Sequence, residues 1–279
     1  MNKFIRYLDN KLDFNFQSGF YAILGTHVST TARSPRVWNE QLETLGKKER
    51  MFPLDVSPAN FPFFFESLIE CEFFLGGAVA VPYKGVVATF LAEVCDPVSK
   101  IADASNCIYR SVDSRLRCTN TDGLAAVTCL KEELNITNDS KILILGFGGV
   151  GRAITAALDV SGFSPVISSR QIPEERLKRR YPRSRFISWG EKREFLAKFD
   201  VVINCTTLGS APEFASTTPL SDVEMSYLRS TTKIYDVIYN PAVTLLGKQA
   251  DSSGIFYRNG LRMNQIQAEI AMKLAICAP

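Results

Sequence analysis

The sequence predicts an α/β protein of two domains, and three observations predict it. Short apolar runs alternate with helical patterns nearly from end to end, the signature of α/β units around a largely parallel sheet. The run ILILGFGGVGRAITAAL, residues 142–158, sets a glycine-rich turn between an apolar strand and an Ala-rich amphipathic helix. A polar connector, NITNDS at residues 135–140, separates the two halves. With 279 residues, 46% of them hydrophobic, the chain can fill two ordinary cores without staples.

In the first half, strands are expected at Phe20 to Leu24, Met51 to Val56, Gly77 to Val81 and Ser105 to Tyr109. The first helix has a start signal: Ser34 can cap it, Pro35 suits the first helical position, and Gly46 follows its last turn. A helix start in a loop rich in Thr and Ser, Gly25 to Ser34, also favours an anion. The aromatic group Phe61, Phe63, Phe64, Phe65, Phe73 and Phe74 reads as core beside a strand or as a subunit contact, and less readily as a ligand box. A helix from about Gly123 to Leu134 closes this half. The first domain is therefore placed at 1–134 and the second at 135–262, with a last helix, 263–279, that packs back on the first.

In the second half, strands are expected at Lys141 to Leu145, Val166 to Ser169, Arg185 to Ser188, Val201 to Asn204 and Ile234 to Tyr239. Gly146, Gly148 and Gly151 have the G-x-G-x-x-G spacing, which identifies this half as a Rossmann domain. In that motif the first glycine permits the tight turn, the second lets the backbone approach a pyrophosphate, and the third lets helix and strand pack. The loop residues Gly149 and Val150, with Thr206 after the fourth strand, complete the cofactor-binding set. At the end of the second strand stand Ser169 and Arg170, where an NAD-binding protein would carry a carboxylate. A guanidinium suits a 2′-phosphate, so NADP is favoured over NAD, although Glu174 and Glu175 stand close enough to compete for it.

Composition removes other classes. The net charge is +3 and Lys and Arg are interleaved with Asp and Glu, so no nucleic-acid partner is expected. The seven cysteines are scattered without any C-x-x-C, which suggests neither a disulfide framework nor a metal site. No uncharged apolar run reaches the roughly 18 residues a bilayer requires, and a cytoplasmic protein, monomeric or homodimeric, is expected.

A nicotinamide oxidoreductase needs a proton donor and acceptor beside the hydride path. With His27 the only histidine, a lysine and carboxylate pair leads, and VPYK at 81–84 and TNTDG at 119–123 supply Lys84 and Asp122. Eight segments in order now resemble the shikimate dehydrogenase family: SPRVWN at 34–39, VPYK, ASN at 104–106, TNTDG, GFGGVG, NCTTLG at 204–209, YDVIYNP at 235–241 and GLRMNQIQA at 260–268. The resemblance implies an N-terminal substrate domain, a Rossmann domain and an active site in the cleft between them. It implies that Lys84 exchanges a proton with the substrate oxygen and that Asp122 holds substrate and lysine in register. It also assigns Asn106, Tyr239 and Gln267 to the substrate and Ser34 to its carboxylate.

The family pattern N-V-T-x-P-H-K reads here Ala78-Val79-Ala80-Val81-Pro82-Tyr83-Lys84, with methyl groups at two polar positions. A site that loses such hydrogen bonds discriminates differently by orders of magnitude. The early loop is also altered, with Thr31 and Arg33 ahead of Ser34. Three readings stay open: a dehydrogenase of this type for another small hydroxy or keto carboxylic acid, an authentic shikimate or quinate dehydrogenase serving aromatic amino acid biosynthesis, and a non-catalytic nucleotide-binding protein of the same fold.

Overall fold

The computed structural model describes residues 3–12 and 19–277. The chain divides into two compact units, Met1–Thr121 with Ala268–Pro279, and Asp122–Gln267.

The first unit is built on five strands, β1 (Phe20–Gly25), β2 (Met51–Asp55), β3 (Phe74–Val79), β4 (Cys107–Arg110) and β5 (Leu116–Thr119), in the order β2-β1-β3-β4-β5. It is parallel only across β2, β1 and β3, while β3, β4 and β5 run antiparallel. Strand β5 was not expected from the sequence. Its residues, LRCT, carry no apolar run, and it is recruited by the turn before it, where Ser114 has φ +61° and Asp113 accepts bonds from Ser111 Oγ and Arg115 N. Gly77 is required inside β3, because a Cβ there would stand 1.9 Å from the Ala22 carbonyl oxygen.

One local reading is corrected. The helix Ser34–Thr44 does begin at Ser34, but its cap is Arg33, in helical backbone geometry, and no side chain caps it. Ser34 is already the first helical residue, whereas a capping side chain sits on the residue before it. The aromatic group is core as expected and divides between two elements: Phe61, Phe64, Phe65 and Leu68 recur at helical spacing on a helix, Phe61–Ile69, and are buried, while Phe74 opens β3 in the same cluster. Phe63 and Phe73 are exposed. Phe61 stacks on Tyr83 at 3.6 Å between ring centroids, so the cluster is core that also seats the residue before Lys84.

The C-terminal part of the last helix, Leu261–Cys277, belongs to the first unit, where Ala271 and Ala275 pack with Tyr21, Ile23 and Trp38. Tyr21 Oη donates to the Ala275 carbonyl at 3.3 Å. Residues 278 and 279 of the expected helix lie outside the described residues.

The second unit carries β6 (Ile142–Leu145), β7 (Val166–Ser169), β8 (Arg185–Ser188), β9 (Val201–Asn204), β10 (Lys233–Asp236) and β11 (Phe256–Asn259), in the order β11-β10-β9-β6-β7-β8. Every pairing is parallel. Chain order reverses between β6 and β9, the switch point outside whose carboxyl ends doubly wound sheets bind ligands. The central strand ILIL is buried throughout, whereas the edge strand β11, absent from the sequence reading, is half exposed and carries no apolar run to announce it. Among the described residues no helix is long and apolar enough to cross a membrane.

Candidate active site

In the second unit the glycine turn has the geometry its spacing predicts. Gly146 follows β6 with φ +96°, which L side chains rarely adopt, and a Cβ there would meet Thr206 Cγ2 at 2.8 Å. Gly151 packs so closely that a Cβ would stand 2.4 Å from the Gly146 carbonyl oxygen. Around Gly148 and Gly149, by contrast, an added Cβ would meet nothing within 4 Å. The close packing and the open space fall where a pyrophosphate would require each, so the residues present fit a dinucleotide. The helix Gly149–Val160 starts here, and its first ladder bond runs from Arg152 N to Gly148 O at 2.8 Å. The N–H groups of Gly149, Val150 and Gly151 thus precede the ladder and, with the helix dipole, favour an anion.

Thr206 is held against this turn by a buried polar network that the sequence reading missed. Asn204 Oδ1 accepts from Thr206 N at 3.0 Å and Thr206 Oγ1 at 2.7 Å, and Asn204 Nδ2 donates to Asp236 Oδ1 at 3.0 Å. Asp236, wholly buried, also accepts from Ile238 N at 3.1 Å, Thr244 Oγ1 at 2.7 Å and Tyr257 Oη at 3.2 Å. Burial pushes its carboxyl above the usual range, and these bonds hold it back. The available signal was an acidic residue closing the strand KIYD directly after Ile234 and Tyr235. Ser169, buried at the end of β7, donates to the Gln171 carbonyl at 2.6 Å, and Arg170 beside it is exposed. Glu175 pairs with Lys178 at 2.7 Å and Glu174 is the cap of the short helix Glu175–Lys178, so neither acid forms an ion pair with Arg170.

In the first unit, β3 delivers Ala78-Val79-Ala80 to the carboxyl edge of the sheet and Lys84 opens the helix Lys84–Phe90. Lys84 is half-buried, and its carbonyl accepts from Ser105 N at 2.9 Å. That bond ties it to Asn106, whose own carbonyl accepts from Val79 N at 2.8 Å. Asn106 Oδ1 accepts from Thr121 N at 2.7 Å and Asn106 Nδ2 donates to Thr121 Oγ1 at 3.0 Å. Tyr83, buried under this corner, donates to the Val56 carbonyl at 2.5 Å. Ala78 and Ala80 are half-buried against the cluster of Tyr21, Ile23, Val28 and Trp38. Ser34 follows on the loop after β1, whose turn Val28–Thr31 is pinned to the end of β2: Ser29 N donates to Asp55 Oδ1 at 2.9 Å, and Ser29 Oγ to Asp55 Oδ2.

The remaining residues belong to the second unit. Asp122 is buried in the first turn of the helix Thr121–Leu134, where a carboxylate is favoured by the helix dipole. Tyr239 is exposed just beyond β10, and half-buried Gln267 donates to the Asn264 carbonyl at 3.1 Å. Among the described residues no group of three or more His, Cys, Asp or Glu side chains is arranged to hold a metal ion.

Residues 23–108 match the family model described as the shikimate dehydrogenase substrate binding domain. The NADP(+) shikimate dehydrogenase of Geobacillus kaustophilus is 33% identical over 258 residues, covering 91% of this chain and 91% of its own. That of Thermosynechococcus vestitus is 30% identical over 269 residues, covering 94% and 92%. The fold matches the crystal structure of shikimate 5-dehydrogenase from Listeria monocytogenes in complex with shikimate and NAD, with a TM-score of 0.82 at 21% identity over 96% and 95% of the two chains. The relatives at 30% and 33% identity and the near-complete coverage agree with the order of the eight segments, and the chain belongs to the shikimate dehydrogenase family.

Proposed function

We propose that this chain is an NADP-preferring oxidoreductase acting on a CH–OH group, and that its substrate is a small ring hydroxy or keto carboxylic acid. The observation that carries the reading is the joint presence, in one chain of this family, of Lys84 at the carboxyl edge of β3, Asp122 on the first turn of its helix, and a glycine turn open at Gly148 and Gly149.

The cofactor, when bound, supplies or accepts the hydride. The N–H groups of Gly149, Val150 and Gly151 bind its pyrophosphate, Gly146 and Thr206 shape the turn, and Ser169 and Arg170 take the adenosine 2′-phosphate. Lys84 gives a proton to the substrate oxygen on reduction and takes it back on oxidation, and Asp122 is its catalytic partner. Ser34 binds the carboxylate, while Asn106, Tyr239 and Gln267 hold the ring. Because Ala78 and Ala80 offer methyl groups where the family pattern has polar ones, the favoured substrate has fewer ring hydroxyls than shikimate. Authentic shikimate or quinate dehydrogenation is the second reading, favoured by the printed activity of the two relatives. We place the protein in the cytoplasm as a monomer or homodimer, without nucleic-acid or membrane partners.

The test is initial-rate reduction of a panel of ring-keto carboxylic acids with NADPH, dehydroshikimate included. The expected result is turnover that Lys84→Ala and Asp122→Asn each lower by about 10²–10⁴-fold. Equal rates in the variants would overturn the mechanism. Preference for dehydroshikimate over every other member would favour the second reading, and NADPH binding without turnover a non-catalytic one.

A further inference from the structure

Two of the buried cysteines meet in the first unit. Cys95, after the short turn Ala92–Val94, and Cys118, in β5, are partners in an isolated parallel β-bridge, and their sulfur atoms lie 2.6 Å apart. Both are free thiols. Cys118 is 1% exposed and Cys95 7%, so a small reagent from solvent reaches Cys95 first. Cys95 Sγ also contacts Ser105 Oγ at 3.7 Å and the Ala88 carbonyl at 3.6 Å, while Cys118 Sγ faces the Leu91 carbonyl at 3.9 Å.

We propose that Cys95 and Cys118 are a modification site, a dithiol that peroxide closes to a disulfide and a dithiol reductant reopens. The thiolate of Cys95 attacks one peroxide oxygen, the O–O bond breaks, and hydroxide leaves to be protonated as water. The sulfur of Cys118 then attacks the resulting sulfenic acid, the S–O bond breaks, and the second oxygen leaves as water with the Cys118 proton. Two thiols are oxidised and one peroxide is reduced to two waters. The order of attack follows from the environment. The hydrogen bond from Cys118 lowers the Cys95 thiol below the ordinary range against the opposing effect of burial, with Ser105 and Lys100 assisting and Asp96 opposing. Burial instead raises Cys205, and pushes Cys107 up to about 12, so those thiols stay inert.

The backbones at the bridge are already paired, and Asp96, the next residue, already accepts from Asn120 N at 3.3 Å. Closure therefore adds a cross-link without rearranging the fold. The expected consequence is a higher thermal midpoint with turnover retained.

The test treats the full-length native protein with hydrogen peroxide, blocks remaining thiols by alkylation and maps the peptides by mass spectrometry. The expected result is a linked pair of peptides holding Cys95 and Cys118, lighter by two hydrogen atoms and separated again by dithiothreitol. The free-thiol count falls by two, and the thermal midpoint rises by roughly 5–10 °C. Cys118→Ser is expected to lose the cross-link and to leave a sulfenic acid on Cys95 that dimedone traps. Full alkylation of both cysteines after peroxide, a link from either to another cysteine, or Cys95 oxidised alone in the unsubstituted protein would overturn the proposal. The peptide map of the unsubstituted protein decides the matter even if the serine variant does not fold.

Discussion

At the residue scale, the proposed choice of substrate rests on Ala78 and Ala80. Both sit half-buried on the face of β3 that meets Trp38 and Val28. Restoring polar groups with the double variant Ala78→Asn, Ala80→Thr is expected to raise kcat/KM for dehydroshikimate by at least about tenfold, since a site with matched hydrogen bonds gains strongly over one without them. Steady-state kinetics of the two proteins checks this. Arg170, exposed and without an acidic partner, is expected to act on cofactor choice alone. Arg170→Ala should raise KM for NADPH by about 10- to 100-fold, the worth of charge-assisted bonds, and leave KM for NADH unchanged. Asp236 makes a prediction about pH. Because burial raises its folded pKa, its contribution to stability is fully present below the unfolded value, about 3.9, and is lost as pH rises through the folded one. Urea melts should therefore show Asp236→Asn gaining on the parent protein as pH rises through that window. The strand end KIYD hinted at Asp236, but no spacing announced the donors around it or around Asp55, which come from other parts of the chain.

At the scale of single elements, the strand, turn and helix from Ile142 to Val160 were legible because each glycine answers a local steric demand. Gly148 and Gly151 separate two of those demands. Gly148→Ala, with open space around the new methyl, should keep the thermal midpoint and weaken NADPH binding, as calorimetry would show. Gly151→Ala drives a methyl against the Gly146 carbonyl and should lower both. Strands β5 and β11 were not legible, for LRCT and FYRN carry no apolar run and owe their place to neighbours: β5 to the turn at Ser114, β11 to the free edge of β10. The helix Phe61–Ile69 was not assigned from the sequence, because four phenylalanines and a proline in a short span satisfy a strand pattern as readily as a helical one. Nor did spacing reveal the pairing of Cys95 with Cys118, which the β-bridge alone creates.

For the whole molecule, the order of motifs carried more than any of them singly. A glycine turn alone points only to a dinucleotide; the eight segments in order, with Lys84 and Asp122 among them, carry the proposal of hydride transfer. Turnover of a ring-keto acid with NADPH deuterated at the transferable position of the nicotinamide tests that claim most directly. The account predicts, by mass spectrometry, one deuterium on the carbon that bears the new hydroxyl and severe loss of that product with Lys84→Ala. Cofactor binding with no deuterated product from any acid in the panel would contradict it.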